Sequence, residues 1–147
     1  MKLLLLLFLL VITTNAIGQD LYEFKKYVDV QMIGKKQIET NQDSTIFETT
    51  YLGKLELKEH ETESKTIIYN VISQYYSVQA AIERHGHSQI IFLDEQGKTL
   101  RIYILDIPEE LPTAIKRNGL KFGKTTKQFI SLPDILCIPN GGCYEYY

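Results

Sequence analysis

The 147-residue sequence has no excess of basic residues, no tryptophan and only two cysteines. Its 16 lysine and arginine residues are outnumbered by 18 aspartate and glutamate residues, which gives a formal net charge of -2. A protein that binds nucleic acid needs a basic face to displace the counterions of the phosphates, so this balance argues against one. After residue 18 no apolar run approaches the roughly 20 residues that cross a bilayer. The sequence therefore predicts no membrane span beyond the N-terminal segment.

Sequence motifs of several common enzyme classes are also missing. No serine stands in the Gly-x-Ser-x-Gly motif of a nucleophile elbow. Gly141-Gly142 lacks the lysine and the serine or threonine that follow in a phosphate-binding loop. The sequence therefore suggests no cofactor, and it favours a protein that binds or associates over an enzyme.

The N-terminal segment has the three regions of a secretory signal peptide. A lysine precedes an uninterrupted apolar run at residues 3–12, and small residues follow at Ala16 and Gly18. The run covers about half of the roughly 20 residues that a membrane helix needs. Cleavage after Ala16 or after Gly18 fits the pattern, and Gly18 is preferred. We therefore expect a signal peptide at residues 1–18, a single β-rich domain at residues 19–147, and a secreted or periplasmic location.

The two cysteines lie close together near the end of the chain. Cys137 and Cys143 flank a segment that contains the turn residues Pro139 to Gly142. In an exported protein, an even pair of cysteines across such a turn is typical of a disulfide. A zinc site would need two further ligands nearby, and the C-terminal segment contains no histidine. The sequence therefore predicts a Cys137–Cys143 disulfide.

Residues 90–105 have the pattern of a β-hairpin. Two apolar segments, residues 90–93 and residues 100–105, flank an Asp-Glu-Gln-Gly turn. The turn fits a type I turn closed by Gly97 in the left-handed region. The first segment is apolar on both faces and should be a central strand, whereas alternate residues of the second share one apolar face.

A second hairpin is predicted from residues 45–58 and residues 66–72, with a charged tip between them. The continuation is ambiguous, because its apolar residues also lie on one helical stripe. The β-branched residues favour strands, which would place His85-Gly86-His87 in a tight turn. We therefore predict a mainly β fold, an antiparallel meander or sandwich or an open barrel-like single domain with at most short helices. The alternative is an α+β fold with a helix at about residues 65–85.

After residue 112 the sequence predicts only short secondary-structure elements. We expect one helical turn at residues 113–118, followed by Gly119 as a helix-ending residue. Short strands are expected at residues 120–122 and 129–130, with a basic loop at residues 124–127 between them.

One stretch contains residue types that could hold a metal ion. On an extended backbone Glu83, His85 and His87 would share one face, and two imidazoles with a carboxylate suit zinc or ferrous iron. The alternative is that Gly86 breaks the extended geometry and leaves two turn histidines that bond to backbone and water. The sequence favours the turn, and a metal-dependent enzyme that uses these three residues is the second function class.

Ten tyrosines and six phenylalanines are the other unusual feature of the composition. Tyrosine combines a rigid apolar ring with a polar tip, which suits surfaces that bind a protein, a peptide or a carbohydrate. The candidate binding residues form two clusters, Tyr75 with Tyr76 and Tyr144 with Tyr146 and Tyr147. Tyrosine also fills ordinary strands in a β-rich protein. The favoured function is therefore a small exported module for binding or structural association, with its partner undefined.

Overall fold

The structure is a computed structural model that describes residues 21–58, 65–79 and 84–147. The predicted signal peptide at residues 1–18 lies outside the described residues. Ten antiparallel β-strands and three short 3-10 helices make up the described part, and the longest of these helices has five residues. Within the same part, no helix combines the length and the apolar character needed to cross a membrane. The mainly β prediction is confirmed.

The strands follow one another in the order of the chain and belong to three sheets. They are β1 (Lys36–Thr40), β2 (Ile46–Lys58), β3 (Thr66–Gln79), β4 (Arg84–Leu93), β5 (Thr99–Leu105), β6 (Ala114–Lys116), β7 (Gly119–Phe122), β8 (Thr125–Gln128), β9 (Ile135–Cys137) and β10 (Cys143–Glu145). The three 3-10 helices span Glu23–Tyr27, Val30–Met32 and Pro108–Glu110.

The main sheet is an open antiparallel meander in the order β1-β2-β3-β4-β5, and β6-β7-β8 and β9-β10 form two smaller sheets. The alternative helix at about residues 65–85 is wrong, because β3 and β4 occupy the described residues of that range. Threonine, isoleucine and valine favour the extended backbone here, and β3 gains a hydrogen-bonded neighbour on both sides.

The tight turn expected at His85-Gly86-His87 is also wrong. These residues belong to β4, and Gly86 pairs with Ser77 of β3. A Cβ atom at Gly86 would overlap the ring of Tyr75, which lies across it. The glycine is therefore required for close packing against an aromatic ring and does not mark a turn.

The hairpin between β4 and β5 is confirmed in detail. Gly97 has a φ of 86°, and its N–H donates to the carbonyl of Asp94 at 3.1 Å. The Asp94 side chain accepts hydrogen bonds from the backbone N–H groups of Gln96 and Lys98 at 2.9 and 2.8 Å. The left-handed glycine and the aspartate together close the turn, and β4 lies between β3 and β5 as expected.

A β-bulge in β2 changes which residues point to each face of the main sheet. Tyr51 pairs with Ile72 and Gly53 pairs with Val71, so Leu52 is the extra residue. Odd-numbered residues before the bulge lie on one face, and odd-numbered residues after it lie on the other. The bulge therefore places Tyr51 in one apolar cluster and the odd-numbered residues Leu55 and Leu57 in the other.

The two faces of the main sheet are covered differently. The first face packs against the two small sheets around a large apolar core (Leu52, Leu55, Leu57, Val71, Ile90, Phe92, Tyr103, Leu105, Leu120, Phe122, Phe129, Leu132, Leu136, Ile138). The second face carries a smaller cluster beneath the N-terminal 3-10 helix (Phe24, Tyr27, Tyr51, Ile72, Ile91, Leu93). The second cluster occupies one end of that face, and a groove lies next to it.

Of the short elements predicted after β5, the strand at residues 120–122 is confirmed as part of β7, and the others differ from their predictions. Residues 114–116 form β6 instead of a helical turn, and Arg117, with a φ of 54°, lies in the turn to β7. The expected basic loop at residues 124–127 falls largely in β8, and residues 129–130 lie outside the strands. A Cβ at Gly119 would collide with the backbone carbonyl of Lys127, so this glycine allows strand contact and does not end a helix.

The predicted disulfide is present in the structure. Cys137 and Cys143 face each other across β9 and β10 and are bonded through their sulfur atoms. The Lys127 ammonium donates to the Cys137 carbonyl at 2.7 Å, which ties the hairpin to β8. The disulfide therefore acts as a local clamp on the hairpin of β9 and β10.

Candidate ligand-binding groove

A groove of about 630 Å³ crosses the second face of the main sheet, beside the N-terminal 3-10 helix. This volume is within the range of small-molecule sites. The helix forms one wall, and a row of aromatic side chains forms the other. The residues that line the groove are Glu23, Phe24, Lys26, Tyr27, Glu39, Thr40, Asn41, Phe47, Gln74, Tyr76, Gln89 and Ile102.

The floor of the groove belongs to a hydrogen-bonded row of polar side chains from three adjacent strands, in which Gln74 and Gln89 line the groove and Thr49 is buried behind them. Thr49 of β2, Gln74 of β3 and Gln89 of β4 face one another in the sheet register. Gln89 Nε2 donates to Gln74 Oε1 at 2.6 Å, and Gln74 Nε2 donates to Thr49 Oγ1 at 2.8 Å. Gln74 is 2% exposed, so its amide would be costly to bury without these bonds.

The hydrogen bonds of this row all run in one direction, from β4 towards β2. Each glutamine amide carries two hydrogens on its nitrogen and donates one of them within the row. Among the described residues, no donor pairs with Oε1 of Gln89. The half-buried Gln89 therefore offers the groove both a donor and an acceptor on one rigidly held amide.

The aromatic wall consists of Phe47 and Tyr76, and His87 continues the row of rings beyond the groove lining. The three residues face one another on β2, β3 and β4. The ring centroids of Phe47 and Tyr76 are 5.8 Å apart with an interplanar angle of 31°, and those of Tyr76 and His87 are 5.2 Å apart at 27°. Such offset contacts between neighbouring strands stabilise the row and restrict ring motion. The wall is therefore preorganised along the groove.

The opposite wall is the N-terminal 3-10 helix, Glu23–Tyr27, which is anchored to the sheet in two ways. Phe24 and Tyr27 are buried in the smaller apolar cluster. The Tyr27 hydroxyl and the Lys26 ammonium each donate to the same oxygen, Oε2 of Glu39, at 2.8 Å. These bonds fix the helix to the edge strand β1 and close that end of the groove.

The charge at this closed end is set by the same three residues. Hydrogen bonds from Lys26 and from Tyr27 hold the pKa of the Glu39 carboxyl below its ordinary value. The hydrogen bond with Glu39 in turn raises the pKa of Lys26, and burial raises the pKa of Tyr27. Glu39 is therefore an ionised acceptor, and its second oxygen has no hydrogen-bond partner among the described residues.

The predicted pair Tyr75 and Tyr76 does not form one surface. Adjacent strand residues point to opposite faces. Tyr76 lies in the groove wall, whereas Tyr75 lies on the other face above Gly86. The sequence cluster therefore contains one groove residue and one packing residue.

The C-terminal tyrosines are not among the residues that line the groove. The Tyr144 hydroxyl bonds to the carboxylates of Asp106, at 3.1 Å, and Glu110. Tyr146 contacts the Tyr103 ring edge-on at 6.5 Å between centroids, and the Arg101 guanidinium lies 4.3 Å from its ring centroid. The position of each of these residues is explained by packing within the fold.

Tyr147 and Ile102 exchange two backbone hydrogen bonds at 2.9 and 3.3 Å, so the end of the chain lies along β5. This contact covers part of an otherwise open sheet edge, which is a common protection against unwanted strand pairing. Tyr147 itself remains exposed.

The metal hypothesis involves residues that the structure describes only in part. Glu83 and the side chain of His85 lie outside the described residues, and His87 stacks on Tyr76. Where side chains are described, no group of three or more histidine, cysteine, aspartate or glutamate residues could hold a metal ion. The site of Glu83, His85 and His87 stays a prediction.

The residues that form most of the groove were missed at the sequence level. Ile72, Gln74 and Tyr76 alternate on one face of β3, and a glutamine between apolar residues of a central strand is an unusual signal. The strand register determines which residues of β2 and β4 become partners of Gln74, and the local sequence pattern does not define that register.

No protein-family model matches the sequence, and no match is found among curated proteins or solved structures. A function for this chain therefore has to be inferred from its own residues.

Proposed function

We propose that the protein is an exported, non-catalytic binding module that holds a polar ligand in the groove on the second face of the main sheet. The observation that carries this proposal is the hydrogen-bonded row of Thr49, Gln74 and Gln89, which lies between the N-terminal 3-10 helix and the aromatic wall. Sites for small ligands combine apolar walls with a few fixed polar groups, and this groove has both.

A purely structural role explains the floor less well. The adjacent row on the same face is apolar and contains Tyr51, Ile72 and Ile91. If apolar side chains continued that surface, the fold would avoid the free-energy cost of burying amide groups. The change to glutamine at positions 74 and 89 is local to the groove, and it produces oriented donors and acceptors there.

The electrostatics of the groove favour binding over acid catalysis. A carboxylic acid that donates a proton at neutral pH needs a raised pKa. The pKa of Glu39 is shifted in the opposite direction by Lys26 and Tyr27. A carboxylate that is ionised at neutral pH, with one oxygen left without a described partner, suits a hydrogen-bond acceptor for a ligand.

Binding is tested by screening a chemically diverse fragment library against ¹⁵N-labelled protein by NMR. We expect hits to move the side-chain amide resonances of Gln74 and Gln89. Tyr76→Ala should remove these shifts, and Tyr75→Ala, which changes the neighbouring tyrosine on the opposite face, should retain them. A library with no hits at the two amides, or an equal loss in both variants, would refute the groove as a binding site.

Export is supported by the N-terminal pattern and by the Cys137–Cys143 disulfide, which is typical of oxidising compartments. Intact-mass measurement of protein recovered from the cell envelope or the medium should show the loss of residues 1–16 or 1–18. Recovery of the full-length chain in the cytosol would contradict this part of the proposal.

A further inference from the structure

The groove runs across the strands and not along them, which restricts the shape of its ligand. Its floor comes from β2, β3 and β4, Glu39 lies at the β1 end, and Ile102 of β5 lines it at the other end. Five strands at about 4.8 Å spacing span roughly 19 Å. A chain of several linked rings fits this length better than one small ring does.

An extended peptide is poorly matched to this orientation. Peptides that bind sheets pair their backbone with a free strand edge. The floor strands β2, β3 and β4 are interior strands, paired on both sides. A peptide that crossed them would meet side chains alone and leave many of its own N–H and C=O groups unpaired, at a substantial cost for each.

The groove offers what a sugar chain requires. A hydroxyl group both donates and accepts, and Gln89 presents a donor and an acceptor on a fixed amide. The second oxygen of Glu39 accepts at the closed end. The C–H faces of sugar rings are apolar and can pack against the rims of Phe47 and Tyr76, so one ligand satisfies both the floor and the wall.

The charges that line the groove indicate that the ligand is uncharged. Lys26, the one lysine or arginine among the described residues that line the groove, is already bonded to Glu39. An anionic glycan would therefore find no free cation in this lining, whereas a neutral glycan needs none.

We infer that the groove binds a neutral oligosaccharide of several residues, with its ring faces against Phe47 and Tyr76 and its hydroxyl groups on Gln89 and Glu39. This inference rests on the proposed binding function and names the ligand class of the same groove.

The test begins with an array of neutral and acidic glycans, followed by NMR titrations of ¹⁵N-labelled protein. The titration probes are maltohexaose, cellohexaose, chitohexaose and mannohexaose, a heparin-derived hexasaccharide and a pool of unstructured decapeptides. We expect at least one neutral glycan to bind and to shift the side-chain amides of Gln74 and Gln89. Its affinity should be insensitive to salt, because no charge is matched.

The variants separate the contribution of apolar ring contacts from that of hydrogen bonds. Tyr76→Ala and Gln89→Ala should each weaken binding about tenfold, whereas Tyr76→Phe should retain most of it. Tyr75→Ala is the control on the opposite face and should bind like the wild type. Melting temperatures show whether each variant is folded, and Tyr76→Phe keeps the ring if Tyr76→Ala unfolds.

The outcomes distinguish the two proposals. If fragments shift the groove amides but no neutral glycan binds, or if the heparin hexasaccharide or the peptides bind there more tightly, the saccharide inference is overturned and the binding groove stands. If no fragment and no glycan shifts these amides, both proposals fail.

Discussion

The ring of Tyr75 lies across Gly86 of the neighbouring strand, so closely that a Cβ atom at Gly86 would overlap the phenol. The two residues are diagonal neighbours, because Tyr75 pairs with Ser88 and Gly86 pairs with Ser77. A glycine in the interior of a strand lowers stability unless a close contact requires it. Here the ring fills the space that a side chain would take.

A double-mutant cycle tests this contact. In the wild-type background, Gly86→Ala should destabilise the protein by about 1 kcal/mol, because the Tyr75 ring must move and loses packing. In the Tyr75→Ala background the same change should stabilise it by about 0.5–1 kcal/mol, because alanine is the better strand residue there. Urea denaturation measures both values. An equal effect in the two backgrounds would show that the residues are not coupled.

The polar floor gives a second prediction, in which two glutamines of one row are compared. Gln74→Ala should destabilise the fold by about 2–4 kcal/mol, because it leaves Thr49 and Gln89 without their shared partner and opens a cavity. Gln89→Ala removes one bond at the half-buried end and should cost about 0.5–1.5 kcal/mol. Urea denaturation of the wild type and both variants gives the change in the free energy of unfolding, provided that the m-values are equal. Similar losses for both variants would contradict a central role for Gln74.

The hairpins of the main sheet could be predicted because their signals are local. Asp94 and Gly97 define the turn between β4 and β5, and the β-branched residues of β3 indicate a strand. The turn expected at Gly86 failed because the reason for that glycine lies on the adjacent strand, in Tyr75. Gly119 was misread in the same way, since the backbone that it contacts belongs to β8.

The groove could not be predicted because it depends on contacts between distant residues. Phe47, Tyr76 and His87 become neighbours only through the register of three strands. The bulge at Leu52 also changes the face to which later residues of β2 point, and nothing in the local alternation identifies it. Tyr76, a candidate by its residue type, lies in the groove wall, whereas Tyr75 was grouped with it on sequence proximity alone and lies on the other face.

A third prediction concerns alkaline pH. Burial, together with the hydrogen bond to Glu110, raises the pKa of Tyr144 to about 12. An unfolded tyrosine titrates near pH 10. Between these values the folded state binds more protons than the unfolded state, so stability falls as pH rises. The contribution is fully present below about pH 10 and is lost as pH approaches about 12.

Comparison of the wild type with Tyr144→Phe isolates this effect. Burial raises the pKa values of Tyr27, Tyr51 and Tyr103 as well, and these groups contribute equally in both proteins. Urea denaturation between pH 9 and about pH 11.5 should show a steeper loss of stability in the wild type. Glu110→Gln, which removes the negative charge beside the phenol, should reduce the difference. Parallel curves for wild type and Tyr144→Phe would contradict the raised pKa.

The last prediction concerns the metal hypothesis for Glu83, His85 and His87. The His87 ring stacks on Tyr76, which gives His87 a structural role in support of a groove residue. We therefore expect zinc and a chelator to leave the melting temperature unchanged. A bound ion at 100 times its dissociation constant would stabilise the fold by about 2.7 kcal/mol and would raise the melting temperature. A zinc-dependent rise in melting temperature that disappears in the double variant His85→Ala with His87→Ala would establish a metal site. That result would favour a metal-dependent enzyme over a binding module.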